Sequence, residues 1–179
     1  ICYGGGVKTV EQAQKIFGLG IEKIALSSSI INDPELIYEI SERVGSQSVI
    51  VVMDIKKKLL GGYEIYTHNG KKSTGIDPVT FAIKAQELGA GEIIINSIDK
   101  DGMMNGFDMN IISRIRDIVT IPITVLGGAG NINDIKKMIQ KYGIIGVAAG
   151  SLFVFKGKYK AVLINYPDRN IKEQIYHGN

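Results

Sequence analysis

The sequence holds a single cysteine, Cys2, which rules out an internal disulfide framework and suits a reducing, cytoplasmic setting. No apolar run approaches the roughly 20 residues of a membrane-spanning helix, and no stretch reads as a signal peptide, so no membrane partner is expected. Charge of one sign is scarce as well: 21 Lys and Arg stand against 18 Asp and Glu, and the net +3 is spread along the chain. Without an arginine-rich run or interleaved aromatics, nucleic acid is not an expected partner. An apolar fraction of 45% with 22% charged residues excludes disorder and allows a sizeable core, while the mild basicity suits an anionic metabolite. The first residue is not Met and the chain opens directly inside a strand, so upstream sequence is expected.

Glycine is plentiful, and its placement organises the chain. Residues 121–126 form a short β-rich run without alternation, as in a parallel strand buried on both faces. Gly127, Gly128 and Gly130 then allow a sharp turn or a close approach. Asn131 or Asn133 caps a helix whose apolar positions Ile132, Ile135, Met138, Ile139 and Tyr142 recur at helical spacing. A strand over 144–149 follows and ends in Gly150-Ser151. Two neighbouring strand tips with exposed backbone N–H groups and a hydroxyl make a phosphate cradle, although the same glycines could merely form tight turns.

The start of the chain repeats this design. A strand over 1–6 ends in Gly4-Gly5-Gly6, a helix spans 9–17, and a strand over 23–26 ends in Ser27-Ser28-Ser29. The two copies lie about half a barrel apart, which implies phosphate grips on opposite sides of one ring and a substrate with a phosphate at each end.

Between the copies, strands and helices alternate. Asn32 or Asp33 caps a helix that Pro34 begins, a buried strand spans 48–53, and Asp54 sits at its end. Residues 56–72 read as a β-hairpin excursion with turns at Gly61-Gly62 and Asn69-Gly70, placed to serve as a lid. A helix from Asp77-Pro78 to Leu88, a strand over 92–97, the loop Asp99-Lys100-Asp101-Gly102 and a helix over 109–118 complete the alternation. The tail holds a short helix around 171–175. Six strands each leading to a helix mean a parallel sheet with right-handed crossovers, and the half-barrel repeat favours a barrel over an open sheet. Such a barrel normally has eight units, so two are absent.

Four segments carry a family resemblance: Cys-Tyr-Gly-Gly-Gly-Val-Lys-Thr from Cys2, Tyr-Thr-His-Asn-Gly-Lys-Lys-Ser-Thr-Gly-Ile-Asp from Tyr66, Gly-Ala-Gly-Glu-Ile-Ile-Ile-Asn-Ser-Ile-Asp-Lys-Asp-Gly from Gly89, and Leu-Gly-Gly-Ala-Gly from Leu126. In order over residues 1–155 they resemble the HisF family, the cyclase subunit of imidazole glycerol phosphate synthase. The resemblance implies an α/β fold, a (βα)8 TIM barrel of the HisF type present here as six βα units. Residues 1–179 would form one barrel domain, with strands 3 to 8 of the barrel over 1–155 and a tail over 156–179. It implies a glutaminase subunit, HisH-like, docked at the bottom face, whose ammonia crosses the barrel and reacts at the top with a bisphosphorylated ribulosyl aminoimidazole carboxamide compound. No cofactor and no metal are implied.

Residue by residue, Asp54 matches the family's second catalytic aspartate. Position alone leaves it either an active-site carboxylate at a strand's C-terminal end or a turn cap. General acid and base work on ring closure needs a second group, which the family carries on a first strand absent from this chain. Asp101 matches an acidic residue beside the substrate and Gly102 a backbone contact to phosphate, against the alternative of an ordinary Asp-Gly turn. Gly6 and Ser28 would hold one phosphate; Gly128, Gly150 and Ser151 would hold the other. Lys23 and Glu92, at strand starts, match two of the four charged residues of the family's ammonia gate, where position alone reads them as surface charges. Two departures stand out: Ser27-Ser28 replaces the usual Asn-Thr, and Met103 the usual Thr.

The tail from Ala149 to Pro167 is most similar to the HisF-like branch associated with acetamidino modification of surface-polysaccharide sugars, which adds a sugar amidotransferase as a partner. Three function classes follow. They are an ammonia-using synthase subunit of cyclase or acetamidino type, a non-catalytic scaffold that activates a glutaminase, and a phosphate-binding barrel isomerase that needs no glutaminase.

Overall fold

Helices begin where a short polar side chain can take up a free backbone amide. Thr9 Oγ1 accepts from the Gln12 N–H at 3.3 Å, and Asp77 Oδ1 from the Val79 and Thr80 N–H groups at 2.9 and 3.0 Å. Of the two candidate caps at the sixth main helix, Asn131 serves: its side chain accepts from Asp134 N–H, and Asp134 returns the bond to Asn131 N–H, both at 3.2 Å. Each such cap contributes about 1 kcal/mol.

The computed structural model describes residues 1–157 and 159–177. In chain order the elements are β1 (Cys2–Gly4), α1 (Val10–Gly18), β2 (Lys23–Leu26), α2 (Ser28–Asn32), α3 (Glu35–Val44), β3 (Val49–Lys57), β4 (Tyr63–Thr67), β5 (Lys72–Ser73), α4 (Pro78–Glu87), β6 (Glu92–Ser97), α5 (Met109–Arg116), β7 (Ile123–Leu126), α6 (Ile132–Tyr142), β8 (Gly146–Val147), α7 (Ser151–Val154), β9 (Phe155–Lys156), β10 (Ala161–Val162) and α8 (Arg169–His177). The parallel sheet runs β1-β2-β3-β6-β7-β8, and β4 joins β3 antiparallel. This is the expected six-unit, incomplete (βα)8 barrel. Alternation along each strand sends Ile24, Leu26, Val51, Met53, Ile93, Ile95 and Val125 outward beneath the helices, where all are buried. Among the described residues no helix is long and apolar enough to cross a membrane.

Several local expectations change. The strand expected to end at Met53 continues to Lys57, because β4 pairs with it from Asp54↔Tyr66 to Lys57↔Tyr63. The strand expected over 144–149 shrinks to Gly146–Val147, and among the described residues β8 has a neighbour, β7, on one side only. The serine tip turns into α2, drawn in by the buried Ile30. Neither Asn32 nor Asp33 caps α3; Asn32 closes α2, and α3 starts behind Pro34 without a side-chain cap. The hairpin excursion is seated on the body rather than free: Tyr63, Glu64, Ile65 and Thr67 are buried.

Two properties of this framework have measurable consequences. The outer sides of β1 and β8 are open among the described residues, and Ile1, Tyr3 and Ile144 beside them are 81, 44 and 95% exposed. Unpaired strand edges template association. The isolated chain is therefore expected to self-associate at micromolar concentration in sedimentation velocity; a monodisperse, cooperatively unfolding monomer would contradict this.

The hairpin is tied to α5 through Tyr63, whose hydroxyl donates to Asp108 at 2.9 Å. Burial, then the hydrogen bond to Asp108 and its charge, push the phenol from 10.0 to about 12. Because the folded value is raised, this contribution is whole below pH 10 and is lost as the pH rises toward 12. The stability advantage of wild type over Tyr63→Phe should shrink by roughly 2 to 3 kcal/mol across that window. Urea unfolding of both proteins at its two ends measures it, and a constant difference would refute the assignment.

Candidate functional site

Parallel strands place all their C-terminal ends on one side, and every residue expected to meet substrate lies there. Gly6 and Ser28 follow β1 and β2, Asp54 stands in the upper part of β3, Asp101 and Gly102 follow β6, Gly128 follows β7, and Gly150 and Ser151 follow β8. Across the sheet this sets one candidate grip at β1 and β2, the carboxylate in the middle, and the other grip at β7 and β8.

The first grip is a cavity with about 460 Å³ of empty space, lined by Gly6, Val7, Lys8 and the three serines 27–29. Gly6 has φ +72°, and a Cβ there would meet nothing within 4 Å, so backbone faces open space. Lys8 supplies the cation. Its place in this lining was not legible in the sequence, where it is one lysine among many, although it stands two residues beyond the glycines.

In the centre, Asn96 Nδ2 donates to Asp54 Oδ1 at 2.7 Å across the β3–β6 pair, where the two residues are register partners. The bond fixes the carboxylate's rotamer and leaves its other oxygen for a second partner. Asn96 is a residue of the candidate site that sequence reasoning missed; only the strand register connects it to Asp54.

The second grip brings Asp101, Gly102, Gly128, Gly150 and Ser151 around a shallow cleft. Gly102, at φ +71°, lies so that a Cβ would touch Ser151 Oγ at 4.0 Å, and a Cβ on Gly150 would meet nothing. Gly128 differs. A Cβ there would lie 2.3 Å from Gly106 O, and its own carbonyl accepts from Gly106 N–H at 2.8 Å. Its missing side chain admits the neighbouring loop.

At the opposite mouth, Lys23 and Glu92 are joined rather than separate surface charges. Lys23 Nζ donates to Glu92 Oε2 at 2.9 Å, and Thr124 Oγ1 to Glu92 Oε1 at 2.7 Å, with the Glu92 side chain only 16% exposed. Lys23 and Glu92 belong to strands that β3 separates, so their meeting reflects the curl of the sheet. Thr124 was not foreseen. The Cys2 thiol is pushed up by burial and then by the Glu92 charge, which keeps it protonated at neutral pH. Alternation puts Glu92, Ile94 and Asn96 on one face of β6, so an apolar strip with Ala25, Ile50 and Val52 separates the two polar layers by about 13 Å.

This chain has clear relatives. The family model described as histidine biosynthesis protein matches residues 1–160. A protein of Vibrio vulnificus named "Putative imidazole glycerol phosphate synthase subunit hisF3" is 51% identical over 175 residues, 97% of this chain and 67% of its own length. One of Leptospira interrogans, "Putative imidazole glycerol phosphate synthase subunit HisF", is 52% identical over 178 residues, 99% of this chain and 70% of its own. The "Imidazole glycerol phosphate synthase subunit HisF" of Streptomyces avermitilis is 41% identical over 152 residues, 85% of this chain and 60% of its own.

Proposed function

The chain belongs to the HisF family of histidine biosynthesis proteins, and we propose that it works as the ammonia-using synthase subunit of a glutaminase complex, acting on a small molecule phosphorylated at both ends. The observation that carries this is the order across the sheet: a grip at each end, with Asp54 held by Asn96 between them. A bisphosphorylated ribulosyl aminoimidazole carboxamide compound spans such a site. Gly6 and Ser28 take one phosphate and Gly102, Gly128, Gly150 and Ser151 the other, with Gly128 also admitting the neighbouring loop and Asp101 beside the substrate. Asp54 acts as one of the two proton-transfer groups that ring closure needs. Lys23, Glu92 and Thr124 form the ammonia gate, and the apolar strip above it passes neutral ammonia while offering nothing to an ammonium ion. A HisH-like glutaminase docks at that mouth, in the cytoplasm, where the free thiol of Cys2 stays reduced.

A second reading rests on the tail. The Vibrio and Leptospira relatives align over 97 and 99% of the chain, the Streptomyces cyclase over 85%, and the family model ends at residue 160. This division sets the tail apart, and it is the tail that resembles the branch in which the barrel passes ammonia to a separate sugar amidotransferase for acetamidino formation. One experiment separates the readings: the full-length protein is assayed on the ribulosyl compound with excess ammonium, then with glutamine and a HisH-like subunit. Cyclisation under both conditions supports the synthase. Glutaminase binding without cyclisation, together with amidination when the amidotransferase is added, supports the acetamidino branch. Failure to bind a glutaminase discards both.

A further inference from the structure

The two grips differ in charge. Lys8 lines the first, whereas among the described residues the one ionisable side chain lining the second is Asp101, of the wrong sign for an anion. The tail makes up the difference. Lys160 Nζ donates to Gly102 O at 3.4 Å, which brings an ammonium to the rim of the second cleft beside Ser151.

The placement is built. The segment carrying Lys160 grows directly out of α7, whose first residue is Ser151. β9 pairs with β10 from Lys156↔Ala161 to Phe155↔Val162. The Leu163 and Asn165 N–H groups return to the Val154 and Phe153 carbonyls, both at 2.8 Å, and the Phe153 and Tyr166 rings pack at 5.0 Å. Within the turn Lys160 adopts φ +48°, a left-handed conformation in which glycine carries no steric cost. A lysine is held where backbone geometry alone would favour glycine, and backbone outliers of this kind gather at functional sites. Its resting bond to Gly102 O is long and exposed, so transfer to an incoming anion sacrifices little.

Resting on the two-grip reading above, we propose that Lys160 is a substrate-binding residue supplied by the tail: it binds the phosphate held at Gly102, Gly150 and Ser151 and offsets the charge of Asp101. This gives the tail a role in selecting a phosphorylated ligand, as Lys8 does at the other grip.

The test titrates inorganic phosphate into the full chain and follows backbone amide signals, so the two grips are read separately. Lys160→Met should weaken binding reported by Gly150 and Ser151 about five- to tenfold and flatten its dependence on salt, while Gly6 and Ser28 respond as before. Lys160→Arg should stay within about twofold of wild type and keep the salt dependence, which a purely structural role would not require. Unchanged affinity and salt dependence at Ser151 in Lys160→Met overturns the assignment and leaves the grip intact. If Lys160→Met perturbs the fold, Lys160→Arg decides: loss of salt dependence there overturns the proposal. Wild-type Gly150 and Ser151 amides that ignore phosphate sink the grip itself, and this inference with it.

Discussion

In the full-length protein, Asp54→Asn is expected to lower turnover of the ribulosyl compound with saturating ammonium by about 10² to 10⁴, the usual contribution of a positioned proton-transfer group. Substrate binding should persist. The side chains are nearly the same size, and the carboxamide oxygen of the variant can still accept from Asn96 Nδ2, so the 2.7 Å contact that orients residue 54 survives. What is lost is the carboxylate that can take up and release a proton. Steady-state rates with ammonium, together with calorimetric titration of substrate into both proteins, separate the effects: a fall in kcat at unchanged affinity is the predicted outcome. Robust cyclisation by Asp54→Asn would end the catalytic role of this residue. Negligible cyclisation by the wild type, with retained amidination support, would instead favour the acetamidino reading.

The second large effect concerns Gly128→Val. From the sequence, a larger residue at this glycine is expected to block phosphate and spare the fold. The structure corrects that expectation. Gly128 has φ +118°, where side chains are strained, and its Cβ would lie 2.3 Å from Gly106 O and 3.2 Å from Phe107 Cα. These are backbone atoms on a loop anchored by the buried Phe107 and cannot swing aside as a side-chain tip would. Backbone strain of about 1 to 3 kcal/mol and overpacking of similar size give a loss of roughly 2 to 6 kcal/mol. A domain of this size then melts lower by about 2 to 4 °C for each kcal/mol. Calorimetric melting within a degree of wild type would show that the loop relaxes freely. Ser151→Ala is the cleaner probe of ligand contact, because it removes a hydroxyl without adding bulk.

The sequence revealed order more readily than extent. The six βα units, the Asn131 region as a helix start and the hairpin were legible because each is encoded within a dozen neighbouring residues. The ends of β3 and β8 were not, since β3 is lengthened by pairing with β4 and, among the described residues, β8 pairs with β7 alone. The site follows the same division. Asp54 and the glycines are recognisable in their own motifs, while Asn96, Thr124, Lys8 and Lys160 acquire meaning from a partner brought in by strand register, sheet curl or the tail's return. That Gly128 also admits the neighbouring loop was not legible, because a motif cannot say which side of the backbone the next loop approaches.

β3 changes its flanking neighbour partway along. Leu26 of β2 stands opposite Val51, but from Asp54 onward Tyr66 of β4 takes that side, while β6 continues along the other to Ile55. The central carboxylate is therefore laced into ladders on both flanks, whereas each grip hangs on loops. Local opening at either grip need not unfasten the residue between them. Native-state hydrogen exchange should accordingly find the amides around Asp54 slower than those at Gly6 and Ser151.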